Sequence, residues 1–197
     1  MNATTTFASA STVMLLRDAP DLQVLMVRRN YNIDFVSGAM VFPGGKVSGD
    51  DRDPGWQDHA AGWDSVAEEE RALRIAAIRE VFEEVGLLIC RGTAPTPEAK
   101  TPEIRKAIDA GQASFLAHCR AYGLTLDLTA LTLFSRWRTP PVAPKRFDTF
   151  FYLASVPADQ VAAADGRETL DAEWLRPESA LDMAARGERE IVFPTRI

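Results

Sequence analysis

The sequence predicts an α+β or α/β domain built on a mixed β-sheet, and three observations predict it. Short apolar runs of strand length recur toward both ends of the chain, at residues 11–17, 22–29, 131–137 and 147–155. One long stretch, residues 66–85, has no Gly or Pro and repeats Leu73, Ala77, Ile78, Val81 and Val85 at helical spacing. Between these, residues 91–123 change to short helical patterns after a proline-rich lead. At 197 residues the chain fits one domain of ordinary size. The expected organisation is therefore a single domain over 1–197, with insertions at about 48–65 and 91–123.

In chain order, the strands 11–17 and 22–29 flank a turn at 18–21, and the second, LQVLMVRR, is a short apolar run. Residues 30–40 read as loop and lead into Val41-Phe42-Pro43-Gly44-Gly45-Lys46-Val47. Asp, Gly, Pro and Trp dominate residues 48–65, which is loop chemistry. For the helix at 66–85, Ser65 is the expected N-cap and Gly86 the left-handed residue at its end. Residues 87–90 return to strand composition. The middle segment gives two helical patterns, 102–110 and 112–122, too short for a core of their own. Strands at 131–137 and 147–155 enclose a Pro-rich loop, 138–145. A short strand at Glu173-Trp174-Leu175 precedes a helix at 177–186 with Pro177 in its first turn.

Composition narrows the function classes. Hydrophobic residues make up 46% and charged residues 25%, as in a soluble globular protein able to bury a core without disulfides. The net charge of -6, with no Lys/Arg cluster, argues against nucleic acid as partner. No apolar stretch is long enough to span a bilayer, so no membrane association is expected. The N-terminus lacks the basic start and long apolar run of a signal peptide, and FPTRI at the C-terminus carries no recognisable targeting signal. Cys90 and Cys119 form no metal-ligand spacing, which fits free thiols in a reducing cytoplasm.

The segment that carries chemistry is Arg79-Glu80-Val81-Phe82-Glu83-Glu84-Val85-Gly86. On a helix Glu80, Glu83 and Glu84 fall near one face, while Val81 and Val85 turn to the core. Three carboxylates together repel, and a hard divalent cation relieves that repulsion. Alone, such a face is usually just solvated. Arg79 directly before it, and an upstream Phe-Pro-Gly-Gly turn able to bring backbone carbonyls close, weigh toward a site. Arg79 also stands four residues before Glu83 and could orient it.

Here the sequence resembles the Nudix hydrolase family. The family's box runs Gly, five residues, Glu, seven residues, Arg-Glu, an apolar residue, any residue, Glu-Glu, any residue, Gly, apolar. Arg79 to Leu87 matches its second half at every specified position, and Phe42-Pro43-Gly44-Gly45 matches the opening turn. The first half is interrupted: Glu80 follows Gly45 by thirty-five positions instead of fifteen, an insertion of about twenty residues. The place of the box's first Glu, counted back from Arg79, holds Arg71. Asp51 stands at the right distance after Gly45, and Glu68, Glu69 and Glu70 lie near the other end, so four residues compete for that role. The segments VLMVRR…FVSGAMVFPGG, SRWRTPPVAPKRFDTFFYLA and EWLRPESAL resemble the Nudix subgroup that includes mammalian peroxisomal coenzyme A diphosphatases.

The resemblance implies an α/β/α sandwich with a mixed sheet and a helical insertion, the box forming a loop-helix-loop. It implies that Glu80, Glu83 and Glu84, with the Gly44 carbonyl, bind Mg²⁺ or Mn²⁺. A general base from outside the box is expected at Glu168, in the polar loop 164–171, with Asp148 and Asp171 as competitors. Lys145 and Arg146 could contact substrate phosphate or merely flank a strand. Trp137 and Phe147 could stack on a base or sit in the core. His59 and His118 receive no role. The implied substrate is a small-molecule nucleoside diphosphate derivative, coenzyme A or its acyl esters, with the insertion and the loop 138–145 shaping a groove for a long arm. ADP-ribose, a nucleotide sugar or a dinucleotide are alternatives, as is a nucleotide-binding Nudix module without hydrolysis, against which the intact Glu80, Glu83 and Glu84 argue. The resemblance also admits a homodimer.

Overall fold

The computed structural model describes residues 7–18, 20–31, 38–92, 95–140, 145–156 and 160–196. Two strands open the chain, β1 (Ala8–Asp18) and β2 (Leu22–Arg29), and antiparallel pairing between them closes around the turn. The apolar run of β2 splits by pleat: Leu25 and Val27 enter one core cluster, Val24 and Met26 the other. A strand with both faces buried has to be apolar throughout, which is why LQVLMVRR shows no polar alternation. Next come β3 (Met40–Val41) and β4 (Gly44–Lys46), the latter antiparallel to β1 with Gly44 opposite Thr12 and Gly45 opposite Ser11.

Residues 48–65 are more ordered than loop composition predicts. They hold two 3-10 helices, Asp50–Arg52 and Pro54–Asp58, and the short strand β5 (Ala60–Ala61). Trp56 is fully buried there, its indole N–H donating to the Asp50 carbonyl (2.8 Å).

The long helix α1 (Glu68–Val85) ends on Gly86 at φ 72°, the left-handed residue expected. Its start differs from expectation. Ala67 is the N-cap, without a side-chain bond, because the Ser65 hydroxyl is used in a turn to the Gly62 carbonyl (2.9 Å). Glu68, Glu69 and Glu70 in the first turn complement the helix dipole instead. Residues 87–89 are buried but form no strand. The Gln160 side chain satisfies both backbone groups of Leu88 (3.0 Å each), taking the place of a neighbouring strand.

The helical insertion contains α2 (Pro102–Asp109) and α3 (Phe115–Ala121), with Thr101 and Ser114 as side-chain N-caps. Phe115 stacks on Phe82 of α1 (centroids 5.7 Å) and meets Trp56 (5.5 Å), so both interruptions share the core of α1. The short strand β6 (Leu126–Asp127) pairs with β5. The strands β7 (Thr132–Arg138), β8 (Phe147–Ser155) and β9 (Thr169–Leu175) complete the main sheet, followed by α4 (Pro177–Ala185) and the short α5 (Phe193–Arg196).

The sheet runs β3-β2-β1-β8-β7, with β4 beside β1 and β9 beside β2. It is mixed: β1 and β8 are parallel, and the other main-sheet pairs antiparallel. One face packs on α1 through Val13, Leu15, Ile78, Val81 and Tyr152. The other, with Met26, Phe42 and Phe151, packs on Ala180 of α4. This is the helix-sheet-helix sandwich the sequence predicts. Among the described residues no helix is long and apolar enough to cross a membrane.

Candidate active site

The site forms where the β4 turn meets the C-terminal half of α1. A Cβ on Gly45 would lie 2.4–2.5 Å from the Glu80 carboxylate, and one on Gly44 would strike the Ser11 carbonyl at 2.3 Å. At Gly44 the clash is with backbone, so no side chain fits; at Gly45 a side chain would displace the Glu80 carboxylate, and the Gly44 N–H donates to Glu84 Oε2 (3.2 Å). The two halves of the interrupted motif are therefore in contact.

Arg79 organises what lies between them. Its Nε and Nη2 donate to the two oxygens of Asp51 (2.9 and 3.0 Å), Nη1 to Glu80 (2.9 Å) and Glu83 (2.8 Å), and Nη2 also to the Lys46 carbonyl (2.8 Å). Burial opposes the guanidinium charge, but the Asp51 bonds and the surrounding carboxylates outweigh it and raise its pKa. Asp51 is 1% exposed and also accepts from Ser48 N–H and Oγ (2.7 and 3.0 Å). Of the four acids competing for the missing box position, Asp51 is the one that reaches Arg79. Glu70 pairs with Arg74 (2.7 Å), and Glu68 and Glu69 are exposed at the helix start.

The three expected metal ligands lie in protein rather than in water. Burial pushes the Glu80 carboxyl up to about 7 and Glu83 up to about 8, against the pull of Arg79. Burial, with the field of Glu80, raises Glu84 well above the usual range. Glu83 Oε1 is buried with no hydrogen-bond partner. Such a set, oxygen-only, crowded with negative charge and holding an unsatisfied buried acceptor, suits a hard divalent cation. Among the described residues no three acidic, His or Cys side chains are already gathered as an ion cage. Arg79 instead holds Glu80 and Glu83 in its fork.

Of the three candidate bases, Glu168 is close enough for its charge to act on Glu80 and Glu84. Glu168 lies on the loop before β9; its backbone is fixed by bonds from Asn30 N–H (2.8 Å) and to Asp165 (3.1 Å). Surrounding protein and then the Asp109 charge raise its carboxyl, and it in turn helps raise Glu80 and Glu84. Asp148 is elsewhere, clasped by Arg136 (2.7 and 2.5 Å) and Arg138 (2.9 Å), which hold it below the usual carboxylate range. Asp171 is bonded by Arg28 across the strand pair β2–β9.

Lys145 and Arg146 stand at the start of β8, beside the first residues of β1 rather than against the box carboxylates: Ala8 N–H donates to the Arg146 carbonyl (2.9 Å). Arg146 lies 4.3 Å from the Phe7 ring centroid. Most of the loop 138–145, at residues 141–144, lies outside the described residues. Trp137 packs edge-on against Phe193 (5.8 Å) beside the second core cluster. His118 stacks on Phe82 (5.6 Å) and bonds the Ala99 carbonyl (3.0 Å), a structural role.

Three residues were not read from the sequence. Arg29, at the end of β2, acts electrostatically on both Glu84 and Glu168, and its Nε is buried without a partner. Asp109, at the end of α2, accepts from Arg167 (2.7 Å) and so ties the insertion to the Glu168 loop. Arg105 does the same from within, donating to the carbonyls of Glu83 (3.2 and 3.0 Å) and Ala163 (3.0 Å). The pair of arginines ending an apolar strand was a usable signal for Arg29. Nothing local marks Asp109. Between α1 and the insertion lies a cavity of about 340 Å³, with Arg79 and Glu83 on one wall and Asp109 and Gln112 on the other.

The family model described as the NUDT19 Nudix domain matches residues 58–195. The chain belongs to the Nudix family. Acyl-coenzyme A diphosphatase NUDT19 of Homo sapiens is 27% identical over 209 residues, covering 83% of this Nudix chain and 56% of the human protein. The protein of the same name from Xenopus laevis is 24% identical over 207 residues, covering 82% and 54%. The chain thus spans little more than half the length of these relatives. A crystal structure of a Nudix hydrolase from Alicyclobacillus acidocaldarius superposes with a TM-score of 0.84 at 29% identity, covering 98% of this chain and 90% of that one.

Proposed function

We propose that this Nudix chain hydrolyses the diphosphate linkage of a nucleoside diphosphate derivative, with coenzyme A and its acyl esters as the substrate class. The observation that carries the reading is the box itself: buried Glu83 and Glu84 with the largely covered Glu80 beside the Gly44-Gly45 turn, and Arg79 locked by Asp51. Similarity to the acyl-coenzyme A diphosphatases favours the substrate.

Glu80, Glu83, Glu84 and the Gly44 carbonyl would hold Mg²⁺ or Mn²⁺. When bound, such a cation would neutralise diphosphate charge and lower the pKa of the attacking water. Glu168, with its carboxyl raised beside the box, accepts the proton of that water as the water oxygen bonds to phosphorus. The bond from phosphorus to the bridging oxygen breaks, giving 3′,5′-ADP and 4′-phosphopantetheine from coenzyme A. Arg79 keeps Glu83 aimed and is itself held by Asp51. Arg29, whose charge acts on both Glu84 and Glu168, would contact a phosphate oxygen. Lys145 and Arg146 take a more distant phosphate.

We read residues 1–197 as one Nudix hydrolase domain with insertions at about 48–65 and 91–123. Its Cys90 and Cys119 thiols are free, which fits the cytoplasm. A homodimer is compatible with this reading. The test is a panel of coenzyme A, dephospho-coenzyme A, ADP-ribose, nucleotide sugars and dinucleotides with Mg²⁺ or Mn²⁺, products resolved by mass. Preference for ADP-ribose or a nucleotide sugar overturns the substrate, and no cleavage of any diphosphate overturns the activity.

A further inference from the structure

We propose that the cavity between α1 and the helical insertion receives the uncharged arm of the substrate, leaving the phosphorylated nucleotide to the basic end of the sheet. The inference rests on the proposed diphosphatase activity and adds the direction in which the substrate lies.

The cavity, about 340 Å³, is within the range that holds a small-molecule fragment. It reaches the reacting groups, since Arg79 and Glu83 line it. Its lining carries more acidic than basic groups. Asp50, Glu83 and Asp109 face it, against the single cation Arg79, whose fork is already filled by Asp51, Glu80 and Glu83. Asp109 is already paired with Arg167 and Asp50 already caps the start of α3, so the cavity is acidic on balance and a terminal phosphate placed here finds no lining cation left to bind it. An uncharged chain of amides and methylenes meets no such barrier. Gln112 offers an amide, and Ile108 and Ala113 offer apolar surface.

Charge of the opposite sign collects at the N-terminal end of β1. Pairing sets Phe147 opposite Ala8 and Lys46 opposite Ala10. Lys46 lies 5.8 Å from the Phe147 ring, and Arg138 and Arg146 lie 5.7 and 4.3 Å from the Phe7 ring. Lys46 directly follows Gly45, so this basic, aromatic end begins at the box turn itself. A diphosphate at Glu80 and Glu84 is therefore flanked by an acidic cavity and a cationic cluster. A molecule with a neutral arm on one side and a phosphorylated nucleoside on the other fits in one direction.

Gln112→Trp tests the assignment. The residue sits in the turn between α2 and α3 with its side chain exposed, and its backbone is anchored to the Ala107 carbonyl (2.8 Å), so the change narrows the mouth without entering the core. The expected result is a fall in kcat/KM of about tenfold or more for both coenzyme A and dephospho-coenzyme A, carried by KM. Hydrolysis of ADP-ribose, which has no such arm, stays within about twofold. Arg146→Ala should weaken coenzyme A and spare dephospho-coenzyme A, which lacks the 3′-phosphate. Equal losses on all substrates in Gln112→Trp, or a loss confined to coenzyme A, overturn the direction. Calorimetric binding of free pantetheine separates this inference from the activity beneath it. Binding to wild type that Gln112→Trp abolishes supports the cavity even if coenzyme A is not cleaved. No binding to wild type, or unchanged binding to the variant, overturns it.

Discussion

Asp51→Asn should be the most informative single change outside the glutamates. Asp51 is 1% exposed and accepts both bonds of a bidentate pair, from Nε and Nη2 of Arg79, itself 7% exposed. Neutralising one partner of a buried pair costs about 3–5 kcal/mol, because the other charge stays buried without it. Arg79 keeps Glu80, Glu83 and the Lys46 carbonyl, so the lower end, about 3 kcal/mol, applies. In a domain of this size that is a fall in Tm of roughly 6–12 °C. Turnover should drop by about tenfold or more, since a guanidinium freed from Asp51 swings toward Glu83 and misplaces it. Thermal unfolding and steady-state hydrolysis of one diphosphate substrate measure both effects. Glu70→Gln is the control, because Glu70 pairs with Arg74 away from the box. A Tm within about 2 °C of wild type with full turnover would refute the reasoning. So would a Glu70→Gln variant with the larger loss of turnover.

Glu83→Gln should lower turnover about a hundredfold in a folded protein, and a chelator should abolish activity until Mg²⁺ or Mn²⁺ is restored; full turnover in the folded variant removes Glu83 from the site. Glu168→Gln should slow hydrolysis while shifting the metal-activation midpoint less than Glu83→Gln does, and a larger turnover loss in Asp148→Asn or Asp171→Asn would move the base to that residue. Asp148 contributes to stability instead. Arg136, then Arg138, lower its folded pKa, so its contribution is complete above the unfolded value near 4 and is lost as pH falls through the folded one. With both arginines about half exposed, Asp148→Asn should cost about 1 kcal/mol at pH 7, and the difference in Tm should vanish in strong acid; a gap that persists there contradicts the ion-pair account.

What could be read from the sequence was what depends on local spacing. The i, i+3, i+4 placement of Glu80, Glu83 and Glu84 fixes their common face before any tertiary contact is known. The glycines at 44 and 45 announce a close approach of backbone to something else, and the partners are the β1 backbone for Gly44 and the Glu80 carboxylate for Gly45. What could not be read depends on register between distant segments. Asp109 meets Arg167 only because α2 docks on the end of α1, and Gln160 reaches Leu88 only because the loop before β9 folds back. Trp56 sits in a stretch whose Gly, Pro and Asp content signals loop, and its burial depends on Phe115 of the insertion. Ser65 failed as an N-cap for a local reason: a hydroxyl that can close a turn onto Gly62 is not available to the helix.

The interruption of the box is explicable in the same terms. Between Gly45 and Glu80 the chain is more than twice as long as an uninterrupted motif allows, yet closing a flexible loop grows costlier only as the logarithm of its length, here by about 0.8 kcal/mol. That is small beside the roughly 2–3 kcal/mol that burial of one large side chain such as Trp56 contributes. The contact between turn and helix also does not run through the inserted chain. The turn is held to α1 by β4 pairing with β1, by the Ser11 hydroxyl on the Leu73 carbonyl (2.7 Å), and by Arg79 on the Lys46 carbonyl. Asp51, early in the inserted stretch, is the residue of that stretch whose carboxylate bonds Arg79. The extra residues thus add to the core through Trp56 and supply, through Asp51, the carboxylate that anchors Arg79.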